Sequence, residues 1–235
     1  MTPKPQGGYY DDNFVLRNKF GLTDRVALAR KERRQSQTKE LRLQLGLDRI
    51  EPATPASARI RSLHRHLFSD VYEWAGEYRE EGISKRPGDA FLPSTFILEA
   101  MAELDITLDT ADGFADDPTE FFAQQFAELN YIHPFLDGNG RTQREFWRQY
   151  GADRGVTIDW TPITANGHQA AARAAADGDL GPLRKIFASV AKHEPDTESR
   201  RGGTGPRGPQ ARLRKGTPGG GQFTFGSHTD DGITL

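Results

Sequence analysis

The sequence predicts an almost all-helical protein, a helical bundle with one short β-hairpin as its main strand content. Three observations carry this. Apolar residues recur at i+3 and i+4 through most of 57–152, the spacing of one buried helix face. The gaps between these runs hold helix punctuation, such as Pro52, Pro55, Gly76 and Pro93. Turn-rich, extended texture is concentrated in 77–93, where Tyr78, Ile83 and Phe91 sit among Gly82, Pro87 and Gly88.

In chain order, residues 1–8 read as a disordered lead, and 9–22 as an N-terminal packing arm. Thr23 and Asp24 are set to cap a helix reaching to about Gly46, with Val26, Leu28, Leu41, Leu43 and Leu45 as a thin apolar stripe. The next helix is expected over 57–76, carried by Ile60, Leu63, Leu67, Val71 and Trp74. His64 and His66 lie on it two apart, on different faces, so they read as packing or surface residues and not as joint metal ligands. Pro93 and Ser94 start another helix, with Phe96, Ile97, Met101, Leu104 and Leu108 buried. A helix over 119–132 follows, with Phe122, Phe126, Leu129 and Ile132 in line, and a further one over 141–152. Residues 155–160 are short and extended; 166–176 and 180–192 are helices. His168 and His193 read as surface residues.

The twelve residues His133-Pro134-Phe135-Leu136-Asp137-Gly138-Asn139-Gly140-Arg141-Thr142-Gln143-Arg144 join two of these helices through a tight loop. A helix N-terminus offers unpaired N–H groups and the positive end of the dipole, so it suits an anion. Gly138 and Gly140 allow close backbone approach and positive φ. Arg141 and Arg144, three apart, share a face of the first turn and can fork onto phosphate oxygens. Asp137 is a hard oxygen ligand of the kind Mg²⁺ joins to substrate phosphates. His133 stands where a general base is needed. Together these residues describe phosphoryl chemistry: a hydroxyl attacks a nucleotide phosphate.

The same twelve residues resemble the Fic motif, His-Pro-Phe-x-Asp/Glu-Gly-Asn-Gly-Arg-x-x-Arg, at every defined position. The related Doc kinases carry Lys where this chain has Gly140. The segment Leu67-Phe68-Ser69-Asp70-Val71-Tyr72-Glu73-Trp74-Ala75-Gly76 and the Tyr-rich start at Tyr9 are similar to other Fic elements, so the resemblance covers residues 9–192. It implies a Fic fold with a flap hairpin over the site, in which Ile83, Ser84 and Lys85 hold an extended segment of the target by strand addition. Arg86-Pro87-Gly88-Asp89 replaces the usual glycine-rich turn there. It further implies transfer of AMP from ATP to a Tyr, Thr or Ser hydroxyl of a target protein. His133 is then the base, Asp137 the Mg²⁺ ligand, and Arg144 the holder of the γ-phosphate, with Gly138, Asn139, Gly140 and Arg141 completing the nucleotide site. Transfer of UMP, phosphocholine or phosphate is the alternative chemistry, and a non-catalytic partner-binding module the alternative class.

Many Fic proteins carry an inhibitory helix with Ser/Thr-x-x-x-Glu-Gly/Asn. Ser36 to Glu40 fit its first part, but Leu41 stands where Gly or Asn belongs. The expectation is no built-in brake and restraint by a small helical antitoxin that carries the complete motif, the pattern of a bacterial toxin or effector.

Composition bounds the rest. The 235 residues suffice for one core with extensions, expected as an N-terminal arm and helix over 1–56, a core over 57–192 and a Gly-, Pro- and Arg-rich tail over 193–235 expected to be disordered. There is no cysteine, which excludes disulfides and thiolate chemistry. The net charge of −2 gives no case for nucleic acid, and no apolar run suits a membrane span or a signal-peptide core. A cytoplasmic protein is expected, with secretion by a signal-independent route left open.

Overall fold

The computed structural model describes residues 8–50, 55–83, 91–110, 114 and 117–193. All of them lie in one compact unit, Met1–Pro195. The tail expected over 193–235 falls, apart from His193, outside the described residues.

Among the described residues are seven helices: α1 (Arg25–Gln44), α2 (Ala56–Phe68), α3 (Ile97–Asp109), α4 (Pro118–Ile132), α5 (Asn139–Ala152), α6 (Ala165–Ala176) and α7 (Gly181–Val190). A 3₁₀ turn, Ser94–Phe96, leads into α3. The two strands among the described residues, β1 (Val156–Ile158) and β2 (Ala191–His193), pair antiparallel with Thr157 opposite Lys192. β1 fits the extended stretch expected at 155–160. β2 was expected to be the end of the last helix; Ala191 instead turns to extended geometry and closes the chain onto β1. The expected flap hairpin has its tip, with Ser84 and Lys85, outside the described residues.

Caps explain the helix starts. The Asp24 carboxylate accepts from the N–H of Ala27, and that of Asp117 from the N–H groups of Thr119 and Glu120, with Pro118 as the first helical residue. The start of α2 is capped from a distance, because the N–H and hydroxyl of Ser57 both donate to Asp105 on α3.

Helix α2 is shorter than the spacing predicts. It stops at Phe68, and the chain turns so that the Val71 carbonyl accepts from the N–H of Lys19 in the N-terminal arm. Val71 and Trp74 stay buried without being helical, because a turn can present apolar residues to the same core. Gly76 has φ +86°, and a Cβ there would press on Arg65.

Aromatic residues fill the centre. Phe122 and Phe126 of α4 meet Phe187 of α7 at 5.3 and 5.7 Å, and Phe146, Trp147 and Tyr150 of α5 pack among themselves. Four expected core positions lie outside: Phe96 is half exposed on the 3₁₀ turn, and Val26 and Leu41 of α1 and Leu45 at its C-cap face solvent. The inward face of α1 is instead Leu28, Glu32, Ser36 and Leu43. That helix is held to the bundle partly through polar side chains. His168, expected on the surface, is buried between Phe126 and Trp160, and burial lowers its pKa to about 4.

Candidate active site

The loop between α4 and α5 holds the twelve-residue motif. His133 ends α4 as its C-cap in the left-handed region, with φ 45° and ψ 62°. A non-glycine residue there carries strain of ~1–3 kcal/mol, which the surroundings must hold in place. The His133 N–H donates to Leu129, and its Nδ1 lies 3.1 Å from the carbonyl oxygen of Asn130. A carbonyl only accepts, so the proton sits on Nδ1 and the basic lone pair on Nε2. The ring of Phe91 stacks on the imidazole at 3.9 Å.

The loop is stapled across its own width. The N–H of Phe135 donates to Asn139 Oδ1 at 3.0 Å, and Asn139 Nδ2 donates to the Phe135 carbonyl at 2.7 Å. The Asn139 side chain is thereby engaged, so what it offers a ligand is its backbone N–H. Gly138 is the N-cap of α5 with φ +80°, and a Cβ on it would drive into the Phe68 ring. Gly140 differs from expectation: its φ is not positive, and a Cβ would meet only Arg144 Nη1 at ordinary contact, 3.7 Å away. Its service is open space at the start of the helix. The N–H groups of Asn139, Gly140 and Arg141 precede the first intrahelical donor, Thr142, whose N–H bonds the Gly138 carbonyl, so they lie at the helix terminus where an anion was expected.

Asp137 is half-buried beside this terminus, and its Oδ1 accepts from the Gly138 N–H at 2.6 Å. His64, expected to be a packing or surface residue, supports it from beneath. The N–H of Gly76 donates to His64 Nδ1 at 2.8 Å, so Nε2 must carry the proton, and it donates to the Asp137 carbonyl at 3.0 Å. The ring stacks on Phe135 at 3.8 Å. Full burial pushes its pKa down to about 3, which keeps the imidazole neutral.

The two arginines do not work as a matched fork. Arg141 turns to α1, where Nη1 donates to Ser36 Oγ at 2.7 Å and Nη2 pairs with Glu32; its guanidinium also lies 4.6 Å from the Phe68 ring centre. Glu32 accepts from the Tyr72 hydroxyl as well, so one buried carboxylate ties α1 to two parts of the site. Arg144 is mostly buried, its carbonyl accepts from Trp160 Nε1, and its side chain makes no hydrogen bond or ion pair among the described residues. Burial lowers the Arg144 pKa, opposed by nearby Glu40. Burial raises that of Glu40 in turn, against the pull of Arg144. The carboxylate and the guanidinium feel each other without forming an ion pair.

The site residues foreseen from sequence thus gather at one loop, except for the flap trio. Ile83 is half-buried at the edge of the described chain, and Ser84 and Lys85 lie outside it. Sequence reasoning missed Glu32, Ser36, His64, Arg79 and Phe91. The visible signal was α1 itself, whose line of inward positions from Leu28 to Leu43 is filled by Glu32 and Ser36.

Among the described residues no group of three or more His, Cys, Asp or Glu could hold a metal. A lone carboxylate beside a helix N-terminus still fits Mg²⁺, which takes one or two carboxylates and completes its shell with phosphates and water.

The Fic/DOC family description matches residues 54–150, from just before α2 through the motif helix. The chain is 29% identical over 189 residues to "Probable protein adenylyltransferase Fic" of Salmonella typhimurium, covering 78% of this chain and 91% of that protein. It is 31% identical over 186 residues to "Probable protein adenylyltransferase y4lH" of Sinorhizobium fredii, covering 74% of this chain and 90% of that protein. The fold is similar to that of BepC from Bartonella tribocorum, crystallised with AMPPNP, at TM-score 0.71 and 23% identity over 81% of this chain and 98% of that one. From the matched motif and from relatives that align along most of their length, this chain belongs to the Fic/DOC family.

Proposed function

We propose that this protein transfers AMP from ATP to a hydroxyl group of a target protein. The observation that carries this reading is the pairing of His133, with its lone pair on Nε2, and the N–H terminus of α5, which has no partner among the described residues, in one stapled loop. Relatives aligned over about nine-tenths of their own length carry the name "Probable protein adenylyltransferase". In the proposed reaction the target oxygen attacks the α-phosphorus of ATP. The bond from that phosphorus to the bridging oxygen breaks, and pyrophosphate leaves. His133 Nε2 takes the hydroxyl proton. The N–H groups of Asn139, Gly140 and Arg141 stabilise phosphate oxygens as charge shifts. Arg144, whose side chain has no hydrogen-bond or ion-pair partner among the described residues, is the cation available to the terminal phosphate. Asp137 would hold Mg²⁺, which when bound offsets phosphate charge. Arg141 is committed to Glu32 and Ser36, and its part is to fix the first turn of α5 against α1.

The target is a protein bearing a Tyr, Thr or Ser hydroxyl, read by Ile83, Ser84 and Lys85. Restraint comes from a small helical partner that delivers a glutamate to Arg144. No helix among the described residues is long and apolar enough to cross a membrane.

Incubation with ATP labelled at the α-phosphate, in a bacterial lysate, tests the reading. Label in a protein band supports AMP transfer. Label carried only from the γ-phosphate means phosphate transfer, and no label from either position contradicts the proposal.

A further inference from the structure

Arg79 is 2% exposed, yet no carboxylate faces it among the described residues. Its guanidinium is surrounded by backbone carbonyls. Nε donates to His133 at 2.8 Å, Nη1 to Glu81 at 2.9 Å, and Nη2 to Leu92 at 2.5 Å and Ile132 at 3.2 Å. The Arg79 N–H adds a bond to the Pro134 carbonyl at 2.9 Å, and the N–H of Leu92 one to Tyr131 at 3.0 Å. A guanidinium buried without a counter-ion is costly unless its donors are satisfied. Here two of the acceptors, Ile132 and His133, are the last carbonyls of α4, the negative end of that helix. The cation therefore sits where the fold supplies negative potential.

One of those carbonyls belongs to the residue whose backbone is left-handed. A relaxed His133 would swing this carbonyl away from Arg79 and carry the imidazole with it. We infer that Arg79 is a positioning residue for His133: its five-point grip holds the left-handed C-cap, and with it Nε2, and locks the chain at Glu81 and Leu92 to the same carbonyl row. Arginine is required, because a lysine ammonium is a compact point donor that cannot reach four carbonyls in a planar fork. The inference rests on His133 being the base of the proposed reaction.

The test uses Arg79→Lys in the full chain, with Arg59→Lys as comparison. Arg59 is also buried and paired, with Asp153 at 2.6 Å, but away from the loop. Arg79→Lys is expected to lower transfer of α-phosphate label to lysate proteins by about tenfold or more, with affinity for a non-hydrolysable ATP analogue within about threefold of the parent. Backbone amide exchange should speed up at 79–83 and 131–136 and stay unchanged in α5. Arg59→Lys should lower the unfolding midpoint and leave transfer intact. Unchanged transfer, a parallel loss of nucleotide affinity, or unchanged exchange at 131–136 would each overturn the inference. If Arg79→Lys does not fold, Arg79→Gln takes its place. Collapse of both makes Arg79 a fold residue and overturns the positioning role. If the parent itself labels nothing, the proposed function fails, and the exchange result alone decides whether Arg79 holds His133.

Discussion

The Nε2–H of His64 donates to the backbone carbonyl of Asp137 across 3.0 Å, so the residue that would hold the metal rests on a neutral, buried imidazole. His64→Phe keeps a ring against Phe135 and removes both polar contacts. It leaves the Gly76 N–H and the Asp137 carbonyl without partners, a loss of about 2 kcal/mol or more of stability. Urea denaturation of parent and variant checks this.

The same imidazole sets a pH dependence. Burial lowers the His64 pKa from 6.5 to about 3 and that of His168 from 6.5 to about 4. A group whose folded pKa is depressed contributes stability that is complete above its unfolded value. That stability is lost as pH falls, because the unfolded chain binds the proton first. Between pH 6.5 and about 4 both histidines act in the same direction. Stability should therefore fall on acidification below pH 6.5, and His64→Phe should flatten that fall. A parent whose unfolding free energy is level across this window would contradict the prediction.

The two loop glycines should separate cleanly. Gly138→Ala puts a methyl into Phe68 at a left-handed position, so it should destabilise the fold by about 2 kcal/mol or more and weaken nucleotide binding. Gly140→Ala meets only Arg144 Nη1 at 3.7 Å and should keep the parent unfolding midpoint. Thermal melts with and without ATP distinguish the pair.

His133→Ala should abolish AMP transfer and leave nucleotide affinity largely intact, because the base acts on the proton in the transition state while the phosphates are held elsewhere. Asp137→Ala should shift the Mg²⁺ dependence of transfer and change metal-free nucleotide binding less. Superimposable Mg²⁺ titrations would remove Asp137 from the ligand role.

Glu40 is near Arg144 without pairing to it. Glu40→Gln should therefore leave self-modification within about threefold of the parent, since a half-exposed carboxylate without an ion pair among the described residues adds little to a screened site. A rise well beyond that, in a folded variant, would place the restraint inside the chain.

Much of the site was readable because its parts are consecutive. A stretch of twelve residues brings His133, Asp137 and the first N–H groups of α5 together whatever the rest of the fold does. What escaped reading acts across long separations or through backbone atoms. Ser36 meets Arg141 over 105 positions, and no local pattern encodes that. Arg79 and His64 bind carbonyls, which every residue possesses, so neither has a partner type to search for. The boundary of α2 was misjudged for a related reason. Val71 and Trp74 keep helical spacing while a turn, fixed by a bond from Lys19, presents them to the core.

The tie between Arg141 and α1 bears on how this enzyme can be divided. The recognisable signature runs from 54 to 150, but Glu32 and Ser36 lie before it, and Phe187, which supports the aromatic side of α4, lies after it. A piece cut at the signature would expose a guanidinium built for a carboxylate and the face of α4 that packs on α7. The portable catalytic unit is therefore longer than its hallmark. Exchange of modules between related chains should succeed only where the leading helix and the closing helix travel with the loop.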